Sequence, residues 1–149
     1  GNMCEHVACE YARESGAKGC HCSGQQDGTV GSYEVELFGT KGSSSAKNRH
    51  TIIAGDDSWR YRGENNDMYQ TEHDELFASI REGNPFNDGE KAAHSTMVAI
   101  LGRMVAYTGQ KITYSDALNS KEDLTPAHLN WEQPLQVPAP PIPGVTRFV

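Results

Sequence analysis

Four cysteines and two histidines lie close together near the start of the chain, where they could bind a soft metal ion. They are Cys4, His6, Cys9, Cys20, His21 and Cys22. Zinc takes four such ligands in a tetrahedron, usually from tight C-x-x-C knuckles. The spacing here is different, and on a strand Cys20 and Cys22 would point to one face and His21 to the other. We therefore expect free thiols that pack as small apolar residues of a sheet, with a metal site or disulfides as alternatives.

A histidine at the border of an apolar helix stripe is a candidate for acid–base chemistry. His73 lies between Glu72 and Asp74, one turn before Phe77. A border histidine can face a cleft and exchange a proton near neutral pH. The alternative is a solvated acidic helix face on which His73 forms a hydrogen bond. We retain His73 as a substrate-side candidate.

Aromatic and basic residues alternate in Trp59-Arg60-Tyr61-Arg62. This format can stack on a sugar ring and hold an anion. On a strand, however, Trp59 and Tyr61 share one side and the two arginines share the other. The alternative is core packing of the aromatic rings with the arginines at the rim. Trp59 and Arg60 are retained as further substrate-side candidates.

The glycine pattern lacks the common nucleotide-binding signatures. None of the 15 glycines is separated from another by a single residue, so no G-x-G-x-x-G fingerprint occurs. No G-x-x-x-x-G-K-[ST] loop occurs either, and no serine lies in a G-x-S-x-G elbow. We expect this chain alone to contain no cofactor-binding residue, no catalytic residue and no metal site.

Composition limits the partners. The 149 residues contain 13 Lys and Arg against 20 Asp and Glu, a net charge of −7. Phosphate backbones require clustered basic residues, so a nucleic-acid partner is not expected. No apolar run approaches about 18 residues, so a membrane partner is not expected either. The length fits one domain or part of a larger one.

Short alternating segments broken by glycine predict antiparallel strands between His6 and Arg62. The segments are His6–Arg13, Lys18–Ser23, Ser32–Phe38, His50–Ala54 and Trp59–Arg62. In the third segment Tyr33, Val35 and Leu37 share one face, opposite two glutamates. Connections this short favour an antiparallel meander over parallel units with crossover helices.

Helical periodicity dominates the rest of the chain. Apolar spacing predicts one helix over Glu72–Arg81, extended backwards by Tyr69, and a second from the cap Asp88 to Thr108. A short strand is expected at Ile112–Tyr114, then a single turn from Ser115. Six prolines from Pro126 onwards predict an extended tail along the surface. The predicted class is α+β, an antiparallel sheet of about five strands with both long helices packed on one face.

The segment from Tyr69 to Gly83 resembles the E-H-x-x-L-x-x-S-I-R-x-G helix of the Gfo/Idh/MocA oxidoreductases. The run from Ser95-Thr96-Met97 to Gly109, the segment Ala117-Leu118-Asn119-Ser120 and the proline-rich end are similar to the same family. Phe38-Gly39-Thr40-Lys41-Gly42 resembles the family's G-T-x-G hairpin, with Trp59-Arg60-Tyr61 in its following strand. The similarity extends from about Val7 to Val149 and is most specific in the second half.

The resemblance implies a parent enzyme with an N-terminal Rossmann domain for NAD(P) and a C-terminal domain whose antiparallel sheet shapes the substrate pocket and builds oligomers. The family's catalytic lysine, in an E-K-P motif, belongs to the first domain, and its D-x-x-x-H pair lies early in the second. Neither motif occurs here, because Glu90-Lys91 is followed by Ala92 and no Asp-x-x-x-His is present.

We therefore expect residues 1–2 to be a start or protease-cleavage remnant, and residues 3–149 to be a single, incomplete C-terminal substrate and oligomerisation domain. The parent would be an NAD(P)-dependent sugar or cyclitol dehydrogenase, and this portion would be inactive alone. Its partners would be the missing Rossmann domain, a sugar-like substrate and further copies through the sheet. The alternatives are a self-associating interaction module and a small Cys/His metal-binding protein. Nothing in the chain distinguishes a cytoplasmic from an exported bacterial protein.

Overall fold

The structure is a computed structural model that describes residues 4–46, 50–54, 57–64, 66–126, 128, 130–132, 134 and 137–149. Residues 1–2, the expected remnant, lie outside this range. The described residues form β1 (His6–Ala12), β2 (Lys18–Gly24), β3 (Val35–Gly39), β4 (Gly42–Ala46), β5 (His50–Ala54), β6 (Asp57–Arg60), α1 (Met68–Arg81), α2 (Gly89–Thr108) and α3 (Tyr114–Leu118).

The chain divides into two compact units. The first comprises Gly1–Asp27 and Asn87–Val149, and the second comprises Gly28–Phe86. The first unit contains the β1–β2 hairpin with α2 and α3. The second contains the other four strands and α1.

The first unit is built around the C-terminal half of α2. Leu101 and Met104 of this helix are buried with Ala117 of α3, and partly buried side chains including Tyr11 and Phe148 pack around them. The hairpin register pairs Cys9 with His21. The face of β1 that contains Cys9 and Tyr11 contacts α2. There the Tyr11 hydroxyl lies 3.4 Å from the Val98 carbonyl oxygen.

The second unit contains a four-stranded antiparallel sheet in the order β3-β4-β5-β6. Its register aligns Leu37 with Ser44, Ser44 with Ile52, and Ile52 with Trp59 in one row across the sheet. Helix α1 begins at an N-cap, where the Asp67 carboxylate accepts hydrogen bonds from the Tyr69 and Gln70 amides. This cap starts the helix four residues before the predicted Glu72.

The predicted α+β class with antiparallel strands is confirmed, but two details of the layout differ. The strands form two sheets rather than one, because the β1–β2 hairpin pairs within itself and lies against α2. Helix α2 belongs to the unit of the two-stranded sheet and contacts β1, whereas α1 belongs to the unit of the four-stranded sheet. Strand β4, whose Gly-Ser-Ser-Ser-Ala sequence has little strand preference, was not predicted.

The predicted strand at Ile112–Tyr114 is wrong. The Thr113 hydroxyl accepts a hydrogen bond from the Asp116 amide, and the Asp116 carboxylate accepts one from the Thr113 amide. This reciprocal capping box starts α3 at Tyr114, one residue before the single turn predicted from Ser115.

The C-terminal segment has no helix or strand among its described residues, in agreement with its prolines. Its end returns to the first unit, where the Gly144 amide donates to the Thr108 carbonyl at 2.8 Å and the Lys121 amide donates to the Val149 carbonyl at 3.1 Å. Among the described helices, none has the length and apolar character needed to cross a bilayer.

Candidate functional site

The cysteines and histidines of the hairpin are distributed over both of its faces. Cys9 and His21 are register partners on the face towards α2, while Cys20 and Cys22 lie on the other face with Glu10 and Ala8 as their partners. All four cysteines are free. No three His, Cys, Asp or Glu side chains of the described residues are grouped as metal ligands. The strand geometry thus separates the residues on which the zinc hypothesis depended.

Cys9 behaves as the predicted small apolar residue, but Cys20 and Cys22 do not. The Cys9 thiol is buried and lies 3.6 Å from the Gly102 carbonyl oxygen, to which it donates. Burial raises the pKa of the Cys9 thiol, with a smaller contribution from the nearby Cys22. Cys20 and Cys22 are exposed to solvent, as are the other residues of β2, whereas β1 is the strand of the hairpin that contacts α2.

His73 is held by its own helix. Its Nδ1 atom lies 2.7 Å from the Tyr69 carbonyl oxygen, one turn earlier, and its ring centroid lies 6.4 Å from that of Phe77. A carbonyl oxygen can only accept, so Nδ1 carries the hydrogen and the neutral ring keeps its lone pair on Nε2. The exposed imidazole is therefore oriented by its own helix, and in this tautomer Nε2 is the ring atom able to accept a hydrogen bond.

Trp59 and Arg60 lie on opposite faces of the sheet, because they are consecutive residues of β6. The Trp59 ring lies 6.3 Å from that of Tyr61, so the aromatic pair predicted from the sequence is present. Trp59 shares its face with Leu37 through the cross-sheet row. A single pocket wall can therefore contain Trp59 or Arg60, but not both.

An open groove of about 930 Å³ lies along the N-terminal half of α2, beside α3. Its lining includes Ala93, His94, Met97, Ile100, Tyr114 and Leu118. The rings of His94 and Tyr114 stand 4.8 Å apart at 34° and form one wall. The sequence predicts α2 from its apolar spacing but not the groove, because Tyr114 was expected in a strand rather than at the start of α3.

The second unit exposes large apolar side chains on both its sheet and its helix. In β3, Leu37 is 60% exposed and Phe38 81% exposed. In α1 the stripe residues Leu76, Phe77 and Ile80 are also exposed. Surfaces of this kind are typical of interaction sites. The sequence predicts the apolar positions, and the self-associating alternative includes an exposed apolar face or edge of the sheet.

Comparison of the chain with protein-family models, with curated proteins and with solved structures found no match.

Proposed function

We propose that this chain is the substrate-side and oligomer-forming portion of an NAD(P)-dependent sugar or cyclitol oxidoreductase of the Gfo/Idh/MocA type. The observation that carries the proposal is α1, which contains the E-H-x-x-L-x-x-S-I-R-x-G pattern and leaves its apolar stripe exposed. A helix with an uncovered stripe is suited to packing against further protein.

The pattern residues have physical roles in this helix that support the assignment. Ser79 is buried, and its hydroxyl donates to the Leu76 carbonyl at 2.8 Å and accepts from the Phe86 amide at 3.4 Å. Gly83 adopts φ 75°, a left-handed conformation that ends the helix at little steric cost for glycine. Serine and glycine at these spacings thus terminate α1 and direct the chain back along it.

In the proposed parent enzyme, a hydride would pass between the nicotinamide and the carbinol carbon of the substrate. A base supplied by polypeptide outside this chain would take the hydroxyl proton. This portion would contribute pocket walls. His73 Nε2 can accept a hydrogen bond from a sugar hydroxyl, and either Trp59 or Arg60 can line a pocket wall.

Titration calorimetry of the chain with NAD and NADP tests whether dinucleotide binding belongs to the other domain of the proposed enzyme. We expect no binding at micromolar concentration, because the phosphate-cradling loop would belong to the other domain. Micromolar binding of either dinucleotide would contradict the proposal. The gene sequence upstream of Asn2 provides an independent test, since the proposal requires a strand–G-x-G-x-x-G–helix segment in the same frame.

The exposed apolar surface also favours the second candidate, a self-associating interaction module. This candidate is compatible with the first, because one concerns the parent enzyme and the other the behaviour of this chain in solution. Multi-angle light scattering across the micromolar range tests it. We expect a mass above 16.3 kDa that rises with concentration. A constant monomer mass would contradict self-association.

A further inference from the structure

Strand β3 is an edge of the sheet formed by the described strands, and it has fewer charged residues to protect it than the opposite edge, β6. Edge strands present unpaired N–H and C=O groups, and proteins commonly blunt them with lysine, proline or a bulge. Between Val35 and Gly39 there is no lysine or proline, Glu36 is the one charged residue, and Leu37 and Phe38 are largely exposed. The opposite edge, β6, contains the charged residues Asp57 and Arg60 within four positions.

Half of the backbone of β3 is directed away from the sheet. Hydrogen-bonded and non-hydrogen-bonded pairs alternate along an antiparallel ladder, and β3 pairs with β4 over all of its five residues. Every second residue of β3 therefore points its N–H and C=O outwards. An added antiparallel strand would satisfy these groups.

We propose that the partner of this edge is β3 of a second copy of the chain, paired antiparallel across a two-fold axis with Leu37 opposite Leu37 of the partner subunit. The proposal rests on the proposed oligomer-forming role and specifies its surface. The two sheets would join into one eight-stranded sheet, whose two halves present the same face on the same side.

Two properties of β3 favour this register: the positions of its carboxylates and the number of its residues that can pair. A two-fold axis perpendicular to the sheet places one residue of β3 opposite its own copy. Centring on Glu36 sets two carboxylates opposite each other, and centring on Val35 sets Glu36 opposite Glu34. Directly opposed like charges destabilise a strand pair.

Centring on Phe38 avoids this charge repulsion but pairs only part of the strand. The Leu37-centred register pairs Val35 with Gly39 and Glu36 with Phe38, so that the whole of β3 is used. The exposed Phe38 ring then packs beside the methylene groups of the opposing glutamate. No other centre joins the complete strand without facing like charges.

Cysteine cross-linking tests the register directly. Opposed residues of a non-hydrogen-bonded pair have Cα atoms about 4.5 Å apart and those of a hydrogen-bonded pair about 5.5 Å apart, both within the roughly 4.4–6.8 Å range of disulfides. We expect Leu37→Cys to form a dimeric disulfide under mild oxidation, identified by mass spectrometry as a peptide joined through position 37. The unmodified chain supplies the background from its four native thiols.

Glu36→Cys is the matched control. In the proposed register this residue is diagonal to its own copy, at about 7–8 Å, where a disulfide does not form without movement of the backbone. Efficient linkage at position 36 rather than 37 would overturn the register. Light scattering distinguishes a failure of the proposed β3 pairing from a failure of the proposed oligomer-forming role. A dimer without linkage at 37 contradicts the β3 edge and leaves the proposed oligomer-forming role intact, whereas a monomer contradicts both.

Amide hydrogen exchange on the unmodified chain decides the question if Leu37→Cys does not fold. We expect exchange of the peptide covering Val35–Gly39 to slow several-fold as the concentration is raised from sub-micromolar to high micromolar values. Exchange that is independent of concentration in this peptide would overturn the proposal.

Discussion

At the scale of single residues, the side of a strand on which a side chain lies decides what it can do. Cys9 and Cys22 are both on the hairpin, but Cys9 points towards α2 and is buried, while Cys22 lies on the other face and is exposed. The same geometry separates Trp59 from Arg60 on β6. Residue types that look like one site in the sequence are therefore divided by the two-residue period of the strand.

The thiols should differ in their reactivity. We expect iodoacetamide at neutral pH to modify Cys20 and Cys22 first and Cys9 last, by at least about tenfold in rate. The reason is that the thiolate is the nucleophile, and burial both restricts access to Cys9 and raises its pKa. Peptide mass spectrometry over a time course measures the order. In urea all sites should react alike, and a fast Cys9 in the folded chain would contradict the described packing.

At Gly102, α2 lies directly against Cys9 and Tyr11 of β1. A Cβ atom built at this position would overlap the Tyr11 hydroxyl. Gly→Ala within a helix usually stabilises by roughly 0.5–1 kcal/mol, but overpacking costs about 1–3 kcal/mol. We expect Gly102→Ala to lower the free energy of unfolding by about 1 kcal/mol, as measured by urea denaturation.

Tyr11→Phe provides the control for this substitution, because it removes the overlapping oxygen. In the Tyr11→Phe background Gly102→Ala should be neutral or stabilising. The double mutant should therefore lose less free energy of unfolding than the sum of the two single substitutions. Equal effects of Gly102→Ala in both backgrounds would show that the contact is not the cause.

At the scale of elements, the capping box sets the start of α3 and makes the helix sensitive to acid. Hydrogen bonds from the Thr113 hydroxyl and amide lower the pKa of Asp116. A carboxyl whose pKa is lower in the folded state binds more protons when unfolded, so it contributes stability above its unfolded pKa and loses it as the pH falls through the folded value.

We expect Asp116→Asn to lower stability at pH 7 and to leave a smaller further loss between about pH 5 and pH 2 than the parent chain shows. Urea denaturation at a series of pH values measures this dependence. Thr113→Ala should act in the same direction, because it removes the hydroxyl partner. An unchanged pH slope in both variants would contradict the role of the box.

The helices and strands also show how much of the local structure could be predicted from the sequence. The stripe of α1, the hairpin β1–β2 and the end of α2 at Gly109 followed from periodicity and glycine. Strand β4 did not, because three successive serines have no strand preference and become a strand by pairing with β3 and β5. Thr113 was misread because β-branched and aromatic neighbours favour a strand locally, whereas its hydroxyl forms a cap.

At the scale of the whole molecule, the division into two units does not follow from local pattern. Residues 1–27 join a unit with residues 87–149, a long-range association that periodicity does not encode. The single domain expected over residues 3–149 stays a prediction, as do the dehydrogenase parent and the sugar-like substrate. The sequence names His73 and Trp59 as candidate site residues, but it does not predict whether they line one pocket. That depends on chain packing rather than on either local motif.

The two units differ in burial, and this difference predicts where the chain opens. The first unit packs Leu101 and Met104 in its core, and Arg103 between them forms a bidentate ion pair with Glu122. Among the residues of the second unit whose burial is described, Ser79 alone is buried. Local opening requires less free energy where few apolar contacts are lost.

We therefore expect limited trypsin digestion at low protein concentration to cut after Arg60, Arg62 and Arg81 before Arg103. Mass spectrometry of the early fragments measures the order. Raising the protein concentration should slow the cuts in the second unit selectively, because self-association would cover its apolar surface and bind only the closed form. The cut after Arg103 should be insensitive to concentration. Early cleavage at Arg103, or a concentration effect confined to the first unit, would show that the stable core lies elsewhere.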